Sequence, residues 1–488
     1  MFTFDNSYAR LPERFYAKLE PTKVAAPRLI QVNVPLAREL GIDPDWLASP
    51  EGVAVLSGNA IPEGADPLAM AYAGHQFGHF VPQLGDGRAI LLGEVRARDG
   101  TRYDIHLKGS GRTPFSRNGD GRAALGPVLR EYIISEAMHA LGIPTTRTLA
   151  AVMTGENIRR ESGPLPGAVL ARVSRSHVRV GTFEFFAARG DTDAVRLLAD
   201  YAIERLYPDA AEASNPALAL LEAVIARTAE LIARWQCVGF IHGVMNTDNT
   251  SIAGETIDYG PCAFMDAYSP STVFSSIDEH GRYAYDQQPR IAWWNLTRFA
   301  EALLPLLGQG ESAVALAQKA LDAYPVLFET AYRRGLRAKF GFAVERADDV
   351  QLIGEFLGLM ADLRADFTLT FRQLCDSAGG NDAPLRAMFE SSSTFEMWHD
   401  KWRQRLTLEN GSSSAQRALA MRAANPAYIP RNHRVEAVIS AAQERGDSIP
   451  FNGLLNVLSE PYRESSKFAA YADPPKHDEI VRQTFCGT

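Results

Sequence analysis

Residues 242–249 read HGVMNTDN, and residues 258–260 read DYG. The first stretch closes on an acid and an amide, Asp248 and Asn249, and the second opens on another acid, Asp258. An Asn and an Asp presented close together offer the hard oxygens that Mg²⁺ or Mn²⁺ takes as ligands. The short run from Asn249 to Asp258 folds the two side chains toward each other. Its middle, SIAGETI at 251–257, predicts a small hairpin turning at AGET. Val244, third in the first stretch, can neither take a proton nor bind a cation.

Working outward, NPALALLEAVIARTAELIARWQ (215–236) predicts an amphipathic helix that ends just before this stretch. Helical patterns continue near 290–307, 311–335, 348–376, 414–424, 432–444 and 449–459, and the tail from 461 reads as extended. Residues 80–185 read differently, being rich in Gly, Arg and β-branched residues. Ala89–Val95 and Tyr103–Leu107 predict a hairpin around the turn pair Asp99-Gly100. Before it lies a tight turn holding Gly85, Gly87 and Arg88. After it, Lys108 leads into a Gly- and Arg-rich loop at 109–127 that includes Asp120 and Gly121. VLREYIISEAMHALG then predicts a helix with Leu129, Ile133, Ala137 and Leu141 on one face and Gly142 as its stop. Two strands follow, TRTLAAVMTGE and GAVLARVSR. The fold class is α+β, with a β-rich, nucleotide-binding part at 1–185 and a helical part at 186–488.

That order is the order of parts in a protein kinase: Gly loop, strand lysine, helix glutamate, catalytic loop, D-F-G. Each part has a physical reason. Backbone N–H groups of a Gly-rich turn can approach phosphate closely. A strand lysine supplies a point charge and is held by a carboxylate. Two carboxylates on the following helix, Glu131 and Glu136, are five positions apart and cannot share one face. Glu131, nearer the helix start, is the preferred partner of Lys108. The kinase loop H-R-D-L-x-x-x-N carries its base at the third position, where this chain has Val244.

The bulk composition is that of a globular enzyme. The chain has 488 residues, 46% hydrophobic and 22% charged, with a formal net charge of −8. That charge argues against a general nucleic-acid binder. No stretch is long and apolar enough to span a membrane, and residues 1–20 lack the pattern of a signal or transit peptide, so the expected location is cytoplasmic. The four cysteines, Cys237, Cys262, Cys375 and Cys486, show no metal-ligand spacing. Cys237 and Cys375 read as buried small hydrophobes. HQFGH sets His75 and His79 four apart, but Gly74 and Gly78 argue against a helical zinc pair, and both histidines read as structural. RRGLRAK (333–339) reads as a solvated helix end, and Trp293-Trp294 as core.

The sequence resembles the selenoprotein O family of kinase-like proteins. The likeness is carried by YAGHQFGHFVPQLGDGRAILLGE, DIHLKGSGRTPFSRNGDGRAALGPVLREYIISEAMHALGIPTTR, VLARVSRSHVRVGTFEFF, GFIHGVMNTDNTSIAGETIDYGPCAFMD and NPAYIPRNHRVEAVI, which span most of the chain. The resemblance implies a protein-kinase-like two-lobed fold and protein adenylyltransferase activity. ATP would bind in flipped orientation, and AMP would pass to Ser, Thr or Tyr hydroxyls of proteins. UMP transfer with Mn²⁺ is the other activity assigned to related bacterial members. By the same resemblance, Gly85, Gly87, Arg88, Lys108, Asp120, Gly121, Arg172, Arg179 and Asp258 match nucleotide-binding positions. Asp248 matches the proton acceptor, and Asn249 and Asp258 match the metal ligands. Cys262 and Cys486 match a pair able to form a regulatory disulfide. Competing readings are a conventional kinase transferring the γ-phosphoryl group and a non-catalytic nucleotide-binding scaffold.

Overall fold

The structure, a computed structural model, describes residues 2–160, 163–390, 392–409, 411 and 413–485. Its strands are β1 (Tyr16–Lys18), β2 (Arg28–Val32), β3 (Leu68–Met70), β4 (Gly74–Gln76), β5 (His79–Val81), β6 (Ala89–Arg96), β7 (Arg102–Lys108), β8 (Ala123–Ala124), β9 (Arg147–Arg160), β10 (Gly163–Ser174), β11 (Phe240–Ile241) and β12 (Ala263–Phe264). Among the described residues, eight of them form one antiparallel sheet in the order β1-β3-β6-β7-β10-β9-β2, with β8 also on β10.

The β6–β7 hairpin turns where Asp99-Gly100 predicts it. Gly100 sits at φ +86°, a conformation L side chains avoid. Strand β7 reads R-Y-D-I-H-L-K, and side chains of a strand alternate between faces. Ile105 and Leu107 therefore enter one apolar core, together with Leu92, Val169, Ala171 and Val173. Helices α1 (Val34–Glu39), α2 (Pro44–Ala48) and α3 (Pro50–Leu56) cover that face; the sequence reading missed all three because each is too short to show a period. Asp104, His106 and Lys108 point the other way. There the register sets Arg172 of β10 opposite His106.

Helix α4 (Leu125–Ala140) follows the Gly-rich loop, and Gly142 past its end takes φ +76°. It is buried on nearly every side, between β9, β10 and the later helices α15 (Asn432–Arg445) and α16 (Ile449–Leu458). Helices α5 (Val180–Ala187), α6 (Thr192–Leu206), α7 (Pro216–Val238), α8 (Gln288–Leu307) and α9 (Gly310–Phe340) share a second core. A third core joins α9 to α10 (Asp349–Asp362), α11 (Phe367–Ala378), α12 (Ala383–Met388), α13 (Ser393–Thr407) and α14 (Ser414–Ala424). The architecture is mixed α+β, an antiparallel sheet followed by a helical C-terminal part.

Four expectations are corrected. The helix read over 348–376 is two, α10 and α11. The chain breaks at Arg364, which takes φ +50°, and Asp366 caps α11 by accepting from Leu369 N at 2.8 Å. No hairpin forms at 251–257. Ser251 bridges Arg179 and Thr256 bridges Thr145, so long-range partners outcompete the local turn. Trp293 is exposed and Trp294 half-buried, because α8 packs its Ile291, Leu296, Phe299 face inward and turns the tryptophans outward. Lys339 is buried, not solvated, with its ammonium 4.1 Å from the centre of the Phe371 ring. Cys375 is buried and Cys237 half-buried. The segment 461–485 is irregular apart from a short turn at Ser466–Tyr471.

Candidate active site

The alternation of β7 aims Lys108 at α4 and at the segment after HGVMNTDN. Its Nζ lies 2.5 Å from Glu131 Oε2 and 3.1 Å from Asp258 Oδ1. Glu136 faces elsewhere: it pairs with Arg147 at 2.7 Å and accepts from Thr148 N. Arg172 Nη1 reaches Asp258 Oδ1 at 2.5 Å, and Arg179 Nη1 bonds the other carboxylate oxygen. Asp258 thus stands among three cations, on a backbone at φ +61° that few non-glycine residues adopt. Burial works to raise its pKa, but the charges of Arg179, Arg172 and Lys108 outweigh burial and hold it well below the ordinary carboxylate value.

Asp248 is the opposite case. Its Oδ2 accepts from Gln76 Nε2 at 3.0 Å, and its buried Oδ1 has no hydrogen-bond partner. Burial pushes its pKa up to about 6, against the opposing pull of Gln76 and Arg179. Gly74 of β4 makes the approach possible, since a Cβ there would lie 2.5 Å from Oδ1. Asn249 donates from Nδ2 to Val244 O at 3.0 Å. Val244 is itself buried and serves packing. His242 bonds Ile257 O through Nε2 at 2.8 Å, tying the loop to the segment that carries Asp258.

The hairpin β4–β5 clamps this loop. His75 N donates to Thr247 Oγ1 at 2.6 Å, and His75 Nδ1 lies 2.5 Å from Glu184 Oε1. Phe77 N reaches Asn246 Oδ1 at 3.2 Å. His75 is therefore structural, whereas His79 is exposed.

Other sequence candidates lie around this centre. Gly85, at φ +83°, packs where any Cβ would strike the Phe115 ring, and Gly87 lies under the Phe115 carbonyl. Arg88 is half-buried, and its carbonyl accepts from Gly109 N at 2.7 Å. Gly111 N donates to Gly121 O at 3.0 Å, closing the Gly-rich loop. Asp120 pairs with Arg160 at 2.7 Å and is not among the groups that bond Asp258. Cys262 is fully buried, and Cys486 lies outside the described residues. Thr484, two residues before it, donates to the carbonyl of Pro261 at 2.5 Å and bridges Ser275, so the tail runs beside Cys262.

No group of three or more His, Cys, Asp or Glu side chains able to hold a metal occurs among the described residues. The ligands that the resemblance implies are the oxygens of Asn249 and Asp258, with the orphaned Asp248 Oδ1 adjacent to Asn249 in sequence. Hard oxygens of this kind fit Mg²⁺ or Mn²⁺ that keeps waters and phosphate oxygens as its other ligands. Sequence reasoning missed Gln76, Glu184, Thr247, His106 and His177. The polar alternation of D-I-H-L-K was the available signal for His106.

Comparisons with known proteins place the chain in a family. The family model described as "Protein adenylyltransferase SelO" matches residues 1–459. The chain is 64% identical over 490 residues to a protein nucleotidyltransferase YdiU of Rhodopseudomonas palustris (strain BisB5), covering 100% of this chain and 99% of the relative. It is 63% identical over 497 residues to one from Methylorubrum populi, and 63% over 489 to one from Bradyrhizobium diazoefficiens, with the same coverage. The protein is a nucleotidyltransferase. More narrowly, the chain belongs to the SelO family.

Proposed function

We propose that this enzyme transfers AMP from ATP to a Ser, Thr or Tyr hydroxyl of a protein substrate, on a two-lobed, kinase-like arrangement. Residues 1–185 would form the nucleotide-binding lobe, and 186–488 the lobe with the catalytic loop and tail. The observation that carries the reading is the gathering of Lys108, Arg172 and Arg179 on Asp258, beside a buried carboxylate oxygen with no partner. Three cations exceed what one acid needs, and Glu131 offsets only part of the excess. The surplus suits polyphosphate, for which an arginine fork is a good match.

In this reading ATP lies flipped relative to a kinase, its terminal phosphates toward Arg172 and Arg179 and toward the turn of Gly85, Gly87 and Arg88. Asp120 and Gly121 belong to the loop that would close over them. The acceptor hydroxyl attacks the α-phosphorus, a new O–P bond forms, the bond to the β-phosphate breaks, and pyrophosphate leaves. The hydroxyl proton passes to Asp248 Oδ1, whose raised pKa suits a proton acceptor near neutral pH. Lys108, held by Glu131, steadies phosphate charge. Asn249 and Asp258 would hold Mg²⁺ or Mn²⁺, which supplies charge neutralisation when bound. UTP is the second nucleotide to test, and the tail beside Cys262 supports a redox control through Cys486.

Incubating the full chain with ATP labelled at the α- or the γ-phosphate tests the reading. Protein-bound label from α alone is the expected result. Label from γ would make the protein a conventional kinase, and label from neither a nucleotide-binding scaffold.

A further inference from the structure

Arg172 is buried, and each nitrogen of its guanidinium has a partner. Nη1 faces Asp258 at 2.5 Å and Glu131 at 3.4 Å. The other two face histidines: Nε lies 3.2 Å from His177 Nε2, and Nη2 lies 2.9 Å from His106 Nδ1. Arginine only donates, so both ring nitrogens must accept. Each imidazole then carries its proton on the opposite nitrogen, and a carboxylate waits there in both cases. His177 Nδ1 donates to Asp104 Oδ2 at 2.9 Å, and His106 Nε2 donates to Asp86 Oδ2 at 3.1 Å.

Those carboxylates are themselves fixed. Asp104 also accepts from His177 N at 2.8 Å and from Arg205 at 2.5 Å, and Asp86 accepts from Met70 N at 3.0 Å. The two rings lie 4.3 Å apart and are buried. Burial pushes His177 down to about 3 and lowers His106 as well, in keeping with two neutral rings.

We propose that His106 and His177 are positioning residues that hold Arg172 as paired neutral acceptors, aiming its Nη1 edge at Asp258 and at nucleotide phosphate. The proposal rests on the reading of Arg172 as a phosphate-binding residue. The chemistry explains why the acceptors are imidazoles. A carboxylate in either place would orient the guanidinium equally well but cancel the charge that phosphate needs. An apolar side chain in either place would preserve the charge but leave a buried guanidinium donor unsatisfied, so the guanidinium would turn toward Glu131. A neutral acceptor alone fixes the direction and spares the charge.

The test compares acceptor-keeping with acceptor-removing variants of the full chain. Affinities for ATP with Mg²⁺ and for adenosine are measured by titration. An amide oxygen can replace the accepting nitrogen in His177→Gln and His106→Asn, and it is lost in His177→Leu and His106→Leu. The leucine variants should bind ATP about tenfold more weakly while adenosine affinity stays within about twofold. The amide variants should bind ATP within about threefold of the parent. General damage to the fold would weaken ATP and adenosine together, and that outcome, or leucine and amide variants that bind ATP alike, overturns the proposal. If the leucine variants do not fold, the amide variants decide: near-parental ATP affinity supports the positioning role, and a loss as large as that of Arg172→Met overturns it. Arg172→Met separates the two ideas. Unchanged ATP affinity in that variant overturns the phosphate reading of Arg172 and the proposal with it. Weakened ATP binding there, with unaffected leucine variants, overturns the positioning role alone.

Discussion

Asp258 and Asp248 are the same residue type, both largely withdrawn from water, and they face opposite surroundings. Asp258 is held by Lys108, Arg172 and Arg179, and its pKa is depressed. Asp248 has one amide donor, an orphaned oxygen and a raised pKa. The first is an anion the fold cannot do without. The second is an anion the fold tolerates at a cost. A buried carboxylate left partly unsatisfied with a shifted pKa marks a candidate reactive group, which is the role proposed for Asp248.

The largest effect should come from Asp258→Asn. Buried Arg172 and Arg179 and half-buried Lys108 would lose their shared anion, costing roughly 3–5 kcal/mol of stability. Transfer of α-label should fall to background, read as a lower Tm together with no incorporation.

Asp248→Asn should break the symmetry in the other direction. Transfer should fall roughly 10²–10⁴-fold if the carboxylate takes the proton. Stability should rise at pH 7, by about 1–3 kcal/mol. The folded pKa of about 6 exceeds the ordinary 3.8, so the folded state holds the extra proton between these values and stability falls as pH rises through them. The gain in Asp248→Asn should therefore be full above pH 6 and vanish below pH 4, and melting curves at several pH values check it. In the parent, the transfer rate should fall about tenfold per unit as pH drops below 6. A variant less stable than the parent at pH 7 would remove the contrast.

Gln76→Ala sharpens the comparison with a smaller change. It removes the donor to the Asp248 carboxylate and should slow transfer several-fold, while hardly moving Tm. The smallest effect on transfer is in a control distant in sequence. Lys339 is a buried cation without a carboxylate partner among the described residues, its pKa lowered by burial to about 8. Lys339→Met should leave transfer unchanged and raise stability by about 2 kcal/mol at pH 7. That gain should shrink as pH rises from 8 to 10.5, where the parent lysine sheds its proton.

Much of this arrangement was legible. The turn at Gly100, the strand ending in Lys108, the helix stopped by Gly142 and the long helix before HGVMNTDN all rest on local rules that neighbouring residues obey. The choice between Glu131 and Glu136 was only half legible, because spacing separates their faces but does not say which face meets Lys108. The AGET turn misled because Ser251 and Thr256 found partners at Arg179 and Thr145. The break between α10 and α11 was hidden because an apolar helical pattern runs through it, and a buried arginine far along the chain, Arg431, bonds Asp366 at 2.8 Å beside the break.

Local sequence carried the longer elements and their order around Lys108 and HGVMNTDN, the acids and bases on them and the Gly positions that let backbone turn, since each depends on residues a few places apart; the short helices α1–α3, the failed 251–257 turn and the α10–α11 break were not local in that sense. Only the tertiary structure decided which charges meet. It put three cations on Asp258 and left Asp248 wanting, and it seated Arg172 between two histidines. Such pairings join residues as much as 150 positions apart. Their strength comes from burial, which no local pattern encodes.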